Sequence, residues 1–264
     1  MLTFEALIEE AKQNGMPAGK MRGILREYLQ VLILKEMYKL PKGKKLYFTG
    51  GTYLRLVHQT KRFSEDLDFN VSTMKKDEFE NILGTIVHAL KKEGLAIHLV
   101  FKHWDNLFVA DLVFPDVEAF YGITSKYSKK EGISIKVESN HPKWKIKTET
   151  LMISGFGQMF PVICTDRGAL FADKIDALIN KNRARHLFDI IFMLSKKYPI
   201  DKRILKTLKV TDQPLDAIMK RVNSFSLTEL KKQAESLRPF LFDESEAELL
   251  INAHTIVAEL IGKY

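Results

Sequence analysis

The chain has 264 residues, 45% of them apolar, a formal net charge of +8 and a pI near 9.3. That length and apolar content bury a substantial core, as one large domain or two modest ones, and exclude an intrinsically disordered chain. The lone Cys164 excludes an internal disulfide and no apolar run reaches bilayer length; with a Met-Leu-Thr-Phe-Glu start that lacks a basic region and long apolar stretch, the expected location is the reducing cytoplasm.

The first forty residues read as two helices. Phe4, Leu7 and Ile8, then Ile24, Leu25, Tyr28, Leu29, Leu32 and Ile33, recur at helical spacing, with Asn14-Gly15-Met16-Pro17 between them. Pro41-Lys42-Gly43 ends the second helix, an apolar strand runs from Leu46 to Phe48, and Gly50-Gly51 open a helix to about Gln59. A second strand is expected from Asp66 to Val71. Residues from about Lys76 to Lys92 form an amphipathic helix, with Phe79, Ile82, Leu83, Ile86, Val87 and Leu90 on its inner face and Gly94 as its stop.

Leu95 to Lys102 and Leu107 to Phe114 read as a strand pair joined through Trp104-Asp105-Asn106. Gly132 to Glu138 alternates Ile133, Ile135 and Val137 against Ser134, Lys136 and Glu138, which turns Glu138 away from the buried aliphatics. A short strand near Phe160 to Cys164 precedes a helix capped by Thr165 or Asp166 and running through Phe171, Lys174, Ile175 and Leu178. Asn180-Lys181-Asn182 interrupts it before a helix from Arg185 to Lys196. From Asp201 to Tyr264, Leu205, Leu208, Leu227, Leu230, Leu249, Leu250, Ile256, Val257 and Leu260 fall at helical intervals, with Pro199, Pro214 and Pro239 as breaks. The expected class is α+β: a mixed β-sheet flanked by helices over residues 1–164, and a helical C-terminal region over residues 165–264.

Two short motifs carry chemistry. In Asp66-Leu67-Asp68 the carboxylates stand two residues apart in a β-prone run, so both project from one face while Leu67 and Phe69 enter the other. Acids so close repel unless a cation lies between them. Upstream, Gly50-Gly51 let backbone approach a phosphate, and the helix they open favours anions at its N-terminus. The net charge suits an anionic partner. Basic residues gather at Lys42, Lys44 and Lys45, at Lys126, Lys129 and Lys130, and at Lys143, Lys145 and Lys147, where Tyr127, His141 and Trp144 are placed to stack on bases; solvated lysine loops are the competing reading. His58, His88 and His98 sit in apolar patterns as packed or surface residues, and no Cys/His set has zinc spacing.

Between about Leu46 and Leu194 the chain resembles the AbiEii/AbiGii-type nucleotidyltransferase toxins, a branch of the DNA polymerase β-like nucleotidyltransferase superfamily. The resemblance rests on Gly50-Gly51-Thr52 with Arg62-x-Ser64-x-Asp66-x-Asp68-Phe69, and on Ala172-Asp173-Lys174-Ile175-Asp176-Ala177-Leu178 with Arg183, Arg185 and Leu187-Phe188-Asp189-Ile190. It implies a nucleotidyltransferase-fold sheet, dependence on Mg²⁺ and transfer of a nucleoside monophosphate from an NTP, in some members onto tRNA. Where many members read Arg-Asp-Leu-Tyr-Asp, this chain has Arg185-His186-Leu187-Phe188-Asp189, leaving Lys174 and Asp189 as the matching pair.

Carried onto this chain, the family's chemistry makes Asp66 and Asp68 ligands of two Mg²⁺, with Glu138 as third carboxylate and Asp111 as its alternative. Gly50, Gly51, Thr52, Arg62 and Ser64 are expected to hold the phosphates. Lys174, an ammonium among apolar positions, points at phosphate or at a carboxylate, or else snorkels; Asp189 orients it, or else pairs with Arg185. The expected protein is thus an NTP-dependent toxin acting on tRNA, with an antitoxin partner. A small-molecule (antibiotic) nucleotidyltransferase and a non-catalytic nucleotide- or RNA-binding module are the alternatives.

Overall fold

The computed structural model describes residues 1–104, 107–123 and 132–264. Asp105 and Asn106 of the expected turn, and Lys126, Tyr127, Lys129 and Lys130 of the second basic group, lie outside the described residues. The chain forms two compact units: Met1–Gln59, Phe63–Pro142 and Thr148–Cys164 make the first, and Thr60–Arg62, Lys143–Lys147 and Thr165–Tyr264 the second.

The first unit begins with α1 (Phe4–Gln13), whose N-cap Thr3 side chain accepts the Ala6 amide, and α2 (Met21–Lys39). The α2 helix buries polar as well as apolar positions, among them Glu27 and Gln30. They are satisfied: Glu27 accepts from Arg55 at 2.9 Å with both side chains 3% exposed, and Gln30 donates to the carbonyls of Ser64 and Glu65 at 3.0 Å. Strand β1 (Tyr47–Thr49) runs into α3 (Gly50–His58), β2 (Leu67–Asn70) follows, and α4 (Lys76–Lys92) lies within the expected limits. Its face of Phe79, Ile82, Leu83, Ile86, Val87 and Leu90 is buried, as the 3.6-residue period requires.

Strands β3 (His98–Trp104) and β4 (Leu107–Phe114) then pair antiparallel, and α5 (Val117–Phe120) is a single turn. β3 starts later than the sequence suggests because the Leu95 amide still bonds to the Leu90 carbonyl, closing the end of α4. Strand β5 (Ile133–Asn140), β6 (Thr148–Gly155) and β7 (Gln158–Thr165) complete a seven-stranded mixed sheet of order β3-β4-β5-β2-β1-β7-β6. β6 is not anticipated by the sequence reading. It is an edge strand in which exposed residues alternate with half-buried ones and the buried Ile153, and its Thr148-Glu149-Thr150 start offers no apolar run to mark it. At the centre, β1 pairs antiparallel with β2 and parallel with β7, while β2 pairs parallel with β5.

In the second unit the Asp166 side chain accepts the Gly168 and Ala169 amides and so starts α6 (Arg167–Asn180). The α7 helix (Ala184–Ser195) follows, then α8 (Lys202–Thr207), α9 (Pro214–Asn223) with proline in its first turn, and α10 (Leu227–Leu237), which Ser226 and Glu229 start with a reciprocal capping box. The short α11 (Glu248–Ile251) and α12 (Ala253–Gly262) end the chain. Among the described residues no helix is long and apolar enough to cross a membrane.

Candidate active site

The first unit's candidate residues meet where β1, α3, β2 and β5 adjoin. Register sets Thr49 opposite Asp68 and Asp68 opposite Glu138, so Asp68 and Glu138 are lateral neighbours on adjacent strands. Gly50 follows directly with φ +82°, and a Cβ built on it would lie 2.1 Å from Asp68 Oδ2 and 2.8 Å from Asp68 Cβ. Only glycine admits that carboxylate against the start of α3. Thr49, the N-cap residue of α3, makes no side-chain bond to the leading amides of that helix.

Thr52 is fully buried, and its hydroxyl donates to the Asp66 carbonyl. It fixes the Asp66 backbone from within the protein, which corrects the expectation of a hydroxyl presented to phosphate. Ser64 is half-buried, and its carbonyl is held by Gln30.

The sequence reading missed the residue that ties these acids together. Lys136 Nζ lies 2.5 Å from Glu138 Oε1 and 3.6 Å from Asp66 Oδ2. Partial burial works against its charge, but the hydrogen bond to Glu138 and the charges of Asp66, Glu138 and Asp68 outweigh burial and raise its pKa. The signal was legible: Lys136 shares the Ser134–Lys136–Glu138 face of β5. Asp111, the alternative third acid, is the cross-strand partner of Lys136, yet its carboxylate bonds Lys102 at 2.8 Å, and β5 separates its strand from that of Asp68.

The chemistry of this donor set fits a hard divalent ion, since Glu138 and Asp66 lie within 3.6 Å of one ammonium and the charge of Asp68 acts on it as well. Among the described residues no three His, Cys, Asp or Glu side chains form a ready metal shell. Mg²⁺ sites on nucleotides commonly use one or two carboxylates and complete their shell with water and phosphate oxygens. Asp66 and Asp68 match that requirement.

In the second unit Arg62, Lys174 and Asp189 form one buried ionic cluster. Arg62 donates through Nε and Nη2 to the two Asp189 oxygens, each at 2.8 Å, and Lys174 Nζ donates to Oδ2 at 2.7 Å. Burial alone would push the Asp189 carboxyl up, but the charges and hydrogen bonds of Arg62 and Lys174 hold it well below the usual carboxylate range. The α7 acid therefore pairs with Lys174 on α6 and with Arg62, rather than with Arg185 one helical turn away. Arg62 is 3% exposed, so its guanidinium serves the cluster and not an open phosphate seat. Beside them His186 is buried, with both ring nitrogens lacking a hydrogen-bond partner among the described residues.

A profile of the family described as "Nucleotidyl transferase AbiEii toxin, Type IV TA system" matches residues 32–249. The chain belongs to the AbiEii nucleotidyltransferase toxin family. As a member of that family it is a nucleotidyltransferase enzyme of the toxin–antitoxin kind, and NTP is its substrate class. The AbiEii match spans both motif blocks. Among solved structures, the fold is similar to MenT4, a nucleotidyltransferase toxin from Mycobacterium tuberculosis, with a TM-score of 0.62 at 15% identity over 100% of this chain and 91% of that one. It is also similar to JHP933 from Helicobacter pylori, with a TM-score of 0.53 at 20% identity over 92% of this chain and 93% of that one. No curated protein sequence matches this AbiEii chain.

Proposed function

We propose that this AbiEii toxin transfers a nucleoside monophosphate from an NTP to tRNA in the cytoplasm, using Mg²⁺ held by Asp66 and Asp68, and that a cognate antitoxin restrains it. The observation that carries the reading is the approach of the Asp68 carboxylate to Gly50, which sets an acid for the cation beside amides for the phosphate. When bound, the divalent ions, two in this reading, neutralise the triphosphate and the departing pyrophosphate.

The protein's own groups do the rest. The Gly50 and Gly51 amides hold phosphate oxygens, with Ser64 beside them, and Thr52 keeps Asp66 in place. Glu138, the lateral neighbour of Asp68, completes the carboxylate set or takes the proton from the acceptor hydroxyl. In the second motif block Asp189 orients Lys174, accepting a hydrogen bond from its ammonium at 2.7 Å. The +8 charge, with Lys143, Lys145 and Lys147 exposed around a half-buried Trp144, favours a polyanionic acceptor over an antibiotic.

The test supplies each labelled NTP in turn with Mg²⁺, total tRNA and total protein. Label is expected on tRNA, and Asp68→Asn is expected to lower transfer by about 10²–10³-fold, the scale of losing one electrostatic contact to developing charge. Label on protein alone would redirect the acceptor, and label on nothing would overturn the proposal.

A further inference from the structure

The carboxylate cluster holds a cation of its own. On β5, Ile135 and Val137 are fully buried, which turns Lys136 and Glu138 together to the opposite face. If Lys136 were an ordinary cross-strand partner it would pair with Asp111, its register neighbour on β4. It does not: Asp111 is bonded by Lys102 at 2.8 Å, while Lys136 leans along its own strand to Glu138 at 2.5 Å and across to Asp66 at 3.6 Å. The side chains are 36%, 28% and 23% exposed for Lys136, Glu138 and Asp66, so water reaches all three.

We propose that Lys136 is the resident counter-cation of the Asp66, Asp68 and Glu138 cluster, neutralising it when no divalent ion is bound and giving way when an ion enters. This rests on the metal reading of the same acids under the proposed function. Carboxylates at this spacing repel without a positive charge among them, and an ammonium on a flexible four-carbon stem fills that place without the fixed geometry of guanidinium. An incoming ion has to displace it. The nucleotide-free protein is therefore a weak metal binder, and binding is strengthened when the ion arrives with triphosphate oxygens as added ligands.

Calorimetric titration of nucleotide-free protein with Mn²⁺ alone tests this, comparing wild type with Lys136→Met and, as a second uncharged variant, Lys136→Gln. The variants are expected to bind Mn²⁺ roughly tenfold more tightly, because one competing charge is gone. They are also expected to melt below wild type in chelator, with the gap closing in excess Mn²⁺. Wild-type binding with folded variants that bind no tighter, or more weakly, would overturn the counter-cation while leaving the metal reading of the acids intact. Absence of Mn²⁺ binding in wild type and both variants, with Mn²⁺ alone and with Mn²⁺ and ATP together, would overturn the counter-cation and the metal reading of these acids alike.

Discussion

Gly50 carries a demand that no other residue type meets, because its φ of +82° and the Asp68 carboxylate at its Cα coincide at one position. In Gly50→Ala the new methyl cannot avoid Asp68 Oδ2 at 2.1 Å, so the carboxylate or the helix start has to move. The expected outcome is a stability loss of about 1–3 kcal/mol in denaturant unfolding, together with loss of label transfer. Retained transfer at wild-type rates would detach Gly50 from the site. At the same scale, Thr52 and Arg62 show what residue type leaves open. A hydroxyl and a guanidinium in a phosphate motif read as ligand contacts, yet one holds a backbone carbonyl and the other a buried aspartate. Which partner reaches a polar group depends on chain segments far away, so a local motif names the group without naming its bond.

The α6–α7 pair shows how two helices hold charge in a dry place. Asp189 on α7 answers two cations, Lys174 of α6 and Arg62, and the excess positive charge falls on its neighbour His186. Burial, then the charge of Lys174, with Arg185 and Lys181 adding to it and Asp189 opposing, push the His186 pKa down from 6.5 to about 3. The unfolded chain takes up this proton near 6.5 and the folded chain only near 3, so the unfolded state binds more protons across that interval and stability falls as pH drops through it. Replacing His186 with Phe is expected to flatten that fall, read as urea midpoints at about pH 7 and about pH 4.5; an unchanged slope would place the acid sensitivity elsewhere. The Asp189 contribution sets in lower, since the stability held by a depressed carboxyl is lost as pH falls from the ordinary carboxylate range downward. Among the elements, α4 was legible to its ends because its apolar residues keep a clean 3.6-residue period, and β4 because Leu107 to Phe114 is a β-prone apolar run broken only by Asp111. Strand β6 was not, since a sheet edge tolerates a polar sequence, and Lys136 was visible on its face without its partners being visible.

Across the whole molecule, the two short motifs of the sequence were enough to identify the enzyme class, whereas the acceptor we propose rests on surface charge spread over distant segments. That charge gives a test of polyanion against small molecule. With about three phosphate contacts from Lys143, Lys145 and Lys147, apparent tRNA affinity is expected to fall roughly 40-fold between about 50 and 200 mM salt, measured as KM for tRNA. A salt-insensitive KM would favour the small acceptor. The sheet's mixed order has its own consequence for the timing of folding. Strand β1, which delivers Gly50, is flanked on one side by β7 through Phe48 and Cys164, over a hundred residues downstream. A ribosome adding residues at ordinary rates needs on the order of ten seconds to make that stretch. Until then the nascent chain lacks half the frame around its glycine bend, so the bend can be fixed in place only late in synthesis.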